Sequence, residues 1–291
     1  MSLVINHNLM AMNAARNLGK AYGELWTSTK RLSSGLRITT AADDAAGLAV
    51  RELMRADIQT MQQGVRNAND AISLIQTADG ALSVIDEKLI RMKELAEQAA
   101  TGTYTSDQRL VIDSEYQAMA SEITRIANST DFNGIYLLNG NLSSFTHNGS
   151  SLTSTGRLKV HFGTGNDSAE DYYYIQISTC TASAFGVGGA AGNSISTQQL
   201  AQQSLAKLKN AIISKDTIRA NLGGTQNRLE NTITTIEIMA ESLSAAESRI
   251  SDVDVATEMT EFTRNNIMAQ AATAMLSQAN SLPQLALSLL G

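Results

Sequence analysis

The chain has 291 residues and a formal charge of −6, enough length for one large or two small domains. Its basic residues form no run, which argues against a nucleic-acid partner, because a phosphate-binding surface needs clustered Lys and Arg. Apolar residues reach 43% while aromatics stay at 4%, with one proline, Pro283, and one cysteine, Cys180; this composition favours long helices and excludes an intramolecular disulfide framework.

From the start, Ile5, Leu9 and Met12, then Leu18, Tyr22 and Leu25, and later Leu32 and Leu36 recur at helical spacing, with a slip in phase between Met12 and Leu18. The opening MSLVINHNLMAMN carries no basic leader, continuous apolar stretch or small-residue cleavage site, so any export is expected to use a route other than a cleaved signal peptide. Asp43 and Asp44 point to different sides of a helix and make a poor catalytic dyad; beside Thr39 and Thr40 they suit a helix start, where acids face the positive end of the dipole. Next, Met54, Ile58, Met61, Val65, Ala68, Ile72 and Ile75 alternate steps of four and three, a heptad seam that continues through Leu82, Leu89 and Met92. One helix is expected from about residue 42 to about residue 100. A break at Thr101, Gly102 and Thr103 precedes Ser106 and Asp107, which resemble an N-cap, and a second seam follows at Ile112, Tyr116, Met119, Ile123 and Ile126. This helix should fold back on the first.

Residues 132–197 are rich in Gly, Ser, Asn and Thr, with β-prone runs at 135–138, 158–162 and 172–177 that predict one or two hairpins. Gly186, Gly188 and Gly189 read as a flexible connection, since no strand-then-helix context supports a phosphate cradle. Leu222, Leu229, Ile233, Ile236, Ala240, Leu243 and Ile250 then mark a third long helix. The expected fold is mainly α: long antiparallel helices forming a coiled-coil or bundle rod from both chain ends, with a small β-hairpin region in mid-chain. The expected division is 1–41, 42–138, 139–197, 198–254 and 255–291: a core segment, half of the rod, a variable surface region, the other half of the rod and a second core segment.

From Asn265 to Gly291 no residue is charged, although Gln, Asn and Ser recur. An exposed helix ordinarily keeps a charged face, so this tail is expected to be surrounded by protein when it works. Self-assembly explains it best. An ordinary monomer core helix is a second reading. A membrane anchor is a third and weaker one, because Asn265, Asn266, Gln270, Gln278, Asn280 and Gln284 would enter hydrocarbon. Assembly-core residues are assigned as Ile5, Leu9, Met12, Leu18 and Leu25 near the start and Ile267, Met268, Met275, Leu276, Leu282, Leu287 and Leu289 near the end. No catalytic, cofactor or metal site is expected: His7, His147, His161 and Cys180 fit no H-E-x-x-H, C-x-x-C or G-x-S-x-G spacing. Cys180 reads as a small buried residue.

These residues also carry a family resemblance. Ile5, Asn6, Leu9, Ala11, Asn13 and Ala14, the run RLSSGLRITTAADDAAGLAV at 31–50, Arg66 to Ser73 and TDFNGIYLL at 130–138 resemble the amino-terminal region of bacterial flagellins. SRISDVDVATEMTEFTRNNIMAQAATAMLSQANSLPQLALSLLG from Ser248 resembles their carboxy-terminal region. The resemblance implies a non-enzymatic subunit of the extracellular flagellar filament, its two ends pairing as antiparallel helices in the filament core and disordered in the free monomer. It further implies a homopolymer used for swimming motility, export unfolded through the flagellar export apparatus with a secretion chaperone, contact with filament cap and hook-junction proteins, no cofactor and no membrane insertion. Contact with Toll-like receptor 5 would fall at Arg91, Leu95 and Glu115, within IRMKELAEQ and on the adjacent helix; the same three also read as two surface charges and a seam leucine. Two rival readings stand beside the filament subunit. A hook-filament junction protein would match the ATEMTEFTRNNIMAQA stretch less well, and an adhesin or enzyme with borrowed flagellin ends would need a longer middle.

Overall fold

The computed structural model describes residues 7–148, 156–168, 170–188 and 193–288, with side chains as far as 281. It is mainly helical: α1 (Leu9–Ser34), α2 (Ala45–Ala100), α3 (Ser106–Ser129), α4 (Gln198–Ser251) and α5 (Val255–Ser288), with short strands β1 (Asp131–Phe132), β2 (Ile135–Tyr136), β3 (Leu158–His161) and β4 (Tyr172–Ile175) between α3 and α4. The chain forms two compact units, Gln59–Ala240 and a second of Met1–Ile58 with Glu241–Gly291. Helices α2 and α4 contribute residues to both.

In the unit Gln59–Ala240, the heptad seam of α2 buries Met61, Ala68, Ile75, Leu82, Leu89 and Met92, and Val65 and Ile72 are half-buried. Opposite them α4 buries Ala201, Leu208, Ala211, Ile218, Leu222 and Leu229. Each Leu or Ile removed from water contributes roughly 1.5–3 kcal/mol, so layered aliphatic packing holds this unit together. Ion pairs set the register. Arg219 binds Asp79 through Nε at 2.7 Å, and Lys215 Nζ lies 2.7 Å from both Asp86 and Asp216, which orders α2 and α4 antiparallel. Lys215 occupies a seam position and is only 2% exposed. A buried amine tolerates that place because two carboxylates neutralise it. Helix α3 folds back on α2, joined by the Arg91–Glu115 pair at 2.8 Å and by Arg109 Nε donating to the Ala99 carbonyl at 2.9 Å.

The cap of α3 differs from expectation. Thr105 is the N-cap, in a reciprocal capping box with Gln108, and Ser106 is the first helical residue. Thr105 is extended and its Oγ1 accepts from the Gln108 amide, whereas Ser106 already has helical geometry.

The 135–138 run is a strand only at Ile135–Tyr136, which pairs with Asp131–Phe132 across Asn133 (φ 51°) and Gly134 (φ 79°), a two-residue turn with both central residues left-handed. Leu137 and Leu138 leave the ladder. The Leu137 amide donates back to Thr130 O, the Leu138 carbonyl accepts from Cys180, and both side chains are buried. Strands β3 and β4 form the second antiparallel hairpin, with Leu158 opposite Ile175 and His161 opposite Tyr172. Gly64 lets this hairpin lie against α2, since a Cβ there would fall 2.1 Å from the Phe162 carbonyl oxygen; Asn67 Nδ2 donates to His161 O at 2.9 Å beside it. Cys180 is wholly buried, and burial pushes its thiol up to about 12. The Gly186–Gly188 segment is not a free connection. Val187 is buried, and a Cβ on Gly188 would come 2.5 Å from the Ala120 Cβ, so this backbone packs on α3; Gly189 lies outside the described residues.

Candidate assembly interface

The second unit is organised by α1 and α5. Asn8 caps α1, its Oδ1 accepting from the Ala11 amide, and its Nδ2 donates to Ala279 O at 2.7 Å. At the other end of the pair Arg31 lies 3.5 Å from Glu258. These two ties make the helices antiparallel. Asp254 caps α5, accepting from the Ala256 and Thr257 amides and the Thr257 hydroxyl, bonds that hold its carboxyl below the usual range. Residues 35–44 link α1 to α2. Gly35 ends α1 in the left-handed conformation (φ 73°), Leu36 bridges Asp252, and Arg37 donates from its amide to Ser251 O. The two aspartates divide the helix-start role. Asp43 Oδ2 accepts from the amides and hydroxyls of Thr39 and Thr40, which lowers its pKa, while Asp44 Oδ1 accepts from Gly47 N as the cap of α2.

The seam between α1 and α5 fully buries only small or polar residues, Ala21, Ser28, Glu258, Asn265, Ala269 and Ala279, and half-buries larger ones. On α1 the less exposed positions are Ala11, Ala14, Leu18, Ala21, Leu25, Ser28 and Leu32; on α5 they are Glu258, Phe262, Asn265, Ala269, Ala272, Leu276 and Ala279. Both series step by three and four, as helices packed along their length require. An alanine methyl buries little area, at about 0.8 kcal/mol per carbon, so this seam brings the helices together without making a large core.

Other bulky side chains of the pair are exposed. Leu9 is 67% exposed, Met12 65%, Trp26 67%, Ile267 62% and Met275 61%, joined by Met10, Tyr22, Met259 and Met268. Met259, Ile267 and Met268 line a groove of about 490 Å³ with Thr260, Thr263 and Arg264. Large apolar side chains left exposed in this number along two helices suit a protein contact.

Of the residues assigned to assembly from the sequence, Leu18, Leu25 and Leu276 lie half-buried in the seam, whereas Leu9, Met12, Ile267, Met268 and Met275 face outward. The phase slip after Met12 is the point where the inward series passes to Ala11, Ala14 and Leu18. Ile5 and Leu289 lie outside the described residues, as do the side chains of Leu282 and Leu287. Met10, Tyr22, Trp26 and Met259 are exposed on the same two helices and were not in that assignment. Trp26, the chain's sole tryptophan, sits one helical turn after Tyr22, and that pairing was the available signal.

In the Gln59–Ala240 unit, Arg91 and Glu115 form an exposed pair that also includes Glu94, 3.0 Å from Arg91. Leu95 is corrected as a surface contact: it is 1% exposed, because its heptad position turns it into the core beside Met92 and Ala99. No helix among the described residues is long and apolar enough to cross a membrane.

Comparison with known proteins accords with this arrangement. Residues 5–143 match the bacterial flagellin N-terminal helical region and residues 197–290 the bacterial flagellin C-terminal helical region. The chain is 41% identical to flagellin FlaB2 of Treponema pallidum (strain Nichols) over 291 residues, covering 99% of this chain and 100% of that one. It is 40% identical to a flagellin of Bacillus subtilis (strain 168), covering 98% and 99%. A putative flagellar hook-associated protein from Vibrio parahaemolyticus shares the fold alone, at 15% identity with a TM-score of 0.55 over 72% of this chain and 100% of that one. Matched at both ends and along its whole length, the chain belongs to the bacterial flagellin family.

Proposed function

We propose that this chain is the structural subunit of an extracellular flagellar filament, polymerising through the α1–α5 pair. The carrying observation is the set of exposed apolar side chains on that pair, Leu9, Met12, Trp26, Ile267 and Met275, beside a seam whose fully buried side chains are small or polar. Neighbouring copies that cover those side chains recover a hydrophobic contribution of roughly 25 cal/mol per Å² that an isolated chain forgoes. Exposed amides and hydroxyls between them, among them Gln270, Thr273 and Gln278, suit contacts that are partly wet.

In this reading 1–41 and 255–291 are core segments, 42–138 and 198–254 the two halves of the bundle, and 139–197 the outward region. The subunit is non-enzymatic. It leaves the cell through the flagellar export apparatus with a chaperone and meets cap and hook-junction proteins at the filament's ends. Recognition by Toll-like receptor 5 would fall to the exposed Arg91–Glu115 pair, with Leu95 supporting it from within. A hook-filament junction role gives way to the filament role, because the whole-length relatives are flagellins.

The test is elongation of short filament seeds by purified monomer, followed by electron microscopy, for the full chain and a chain cut after Arg264. Tubes from the full chain alone are expected. A full chain that stays monomeric, with protease-resistant ends, would overturn the proposal.

A further inference from the structure

The chain's methionines are unevenly placed. Met61 and Met92 are buried in the bundle, whereas Met10, Met12, Met259, Met268 and Met275 are exposed, all on α1 or α5; among the described residues only Met239 elsewhere is comparably open. Met268 and Met275 are one heptad apart on α5, and the antiparallel tie of Asn8 to Ala279 brings Met12 of α1 to the level of Met275. The exposed surface of this helix pair, which the proposed function covers with neighbouring subunits, is therefore rich in thioethers on more than one side.

We propose that these five methionines form an oxidative modification site whose state decides whether the chain can assemble. The oxidant is hydrogen peroxide. The thioether sulfur attacks one peroxide oxygen, an S–O bond forms as the O–O bond breaks, and the proton on the attacked oxygen passes to the departing one, which leaves as water. Sulfur loses two electrons and the peroxide gains them, giving a sulfoxide and one water per methionine. Each sulfoxide turns a flexible apolar side chain into a polar one with a strong acceptor oxygen. A neighbouring apolar surface offers no donor to that oxygen, so the oxidised face docks poorly. Packed in a filament, the same sulfurs are shielded. The window of sensitivity is the unassembled chain.

This inference rests on the filament reading, and one experiment separates the two. Purified full-length monomer is treated with hydrogen peroxide, mapped for sulfoxide by peptide mass spectrometry and added to seeds; preformed filaments are treated and mapped in parallel. The five exposed methionines should oxidise at least about tenfold faster than Met61 and Met92, following exposure, and should be protected in filaments. Elongation by oxidised monomer should fall at least about tenfold, since a single buried acceptor without a donor costs a decade of affinity. Treatment with a methionine sulfoxide reductase should restore it. In the M10L/M12L/M259L/M268L/M275L variant, which keeps Met239, the ratio of treated to untreated rate should stay near one whatever its starting rate. Should that variant not elongate at all, reductase rescue of the wild-type chain decides. Undiminished elongation of oxidised monomer, equal oxidation of buried and exposed methionines, or failure of the reductase to rescue would overturn the inference alone. Untreated monomer that never elongates would overturn the filament reading and the inference with it.

Discussion

In the unit Gln59–Ala240 the large aliphatic side chains turn inward, Leu82, Ile85, Leu89 and Met92 from α2 against Leu208, Leu222 and Leu229 from α4. In the unit of α1 and α5, the seam fully buries only small or polar side chains, leaves Leu18, Leu25, Phe262 and Leu276 half-buried, and Leu9, Met12, Trp26, Ile267 and Met275 turn out. Both use the same three-four spacing, so periodicity alone does not distinguish a seam that closes within a chain from one that awaits other copies. What distinguishes them is the size of the residue on each side. A bundle that fully buries its leucines is stable by itself; a pair whose large seam residues stay half-exposed holds together more weakly and leaves hydrophobic stabilisation for assembly.

The comparison can be broken by paired substitutions. Leu89→Ala removes a fully buried side chain and should cost about 2–5 kcal/mol of stability, read from urea midpoints. Leu9→Ala should change monomer stability by less than about 0.5 kcal/mol while slowing seeded elongation. Equal costs at the two sites would contradict the division drawn here. Next in size is Lys215→Ala, which strips the buried amine from Asp86 and Asp216. The loss should be about 2 kcal/mol, below the range for a wholly buried pair because both carboxylates reach solvent.

Thr105→Ala opens the capping box of α3 and should cost about 1 kcal/mol, with Thr105→Ser recovering most of it. The smallest effect concerns acid. The hydrogen bond from Arg219 holds the Asp79 carboxyl below its ordinary value. A depressed pKa means that the stabilisation is complete above the unfolded value near 4 and is lost as pH falls through the folded one. Both partners are more than a third exposed, so solvent screening keeps this contribution under about 1 kcal/mol. Asp79→Asn should narrow the gap between urea midpoints measured at about pH 6 and about pH 3; an unchanged gap would leave the acid response to other carboxylates.

Much of the fold was legible because helices announce themselves locally. The seam from Met61 to Met92 and the break at residues 101–103 were written in spacing and in breaker residues. So were the two strands of the second hairpin, within 158–162 and 172–177, through their β-prone composition. Less legible was anything decided by a distant neighbour. The cap of α3 is an exception, since Thr105 and Gln108 form a local T-x-x-Q capping box that was legible and passed over for Ser106. The strand ends at Tyr136, and the Leu138 carbonyl turns to accept from Cys180, a partner distant in sequence. Gly188 proved to be a packing glycine only through Ala120, far off in sequence. For the assembly face, the charge-free tail pointed to the right element, but the direction of each side chain did not follow. Leu9 and Met12 look like seam residues until Ala11 and Ala14 are seen to take the inward place.

The sequence by itself determined that this is a mainly helical chain with long seams at both ends, a short hairpin region between them and the end motifs of a flagellin. Local propensity and period set those features, and both are properties of neighbouring residues. Only the tertiary structure decided which face of α1 and α5 closes on its partner and which stays open. It likewise placed Lys215 between two carboxylates, turned Leu95 inward beneath the Arg91–Glu115 pair and gathered five methionines on one exposed helix pair. These are outcomes of helix register, which sequence period leaves open, because a three-four repeat fits more than one rotation of the same helix until a partner surface selects one.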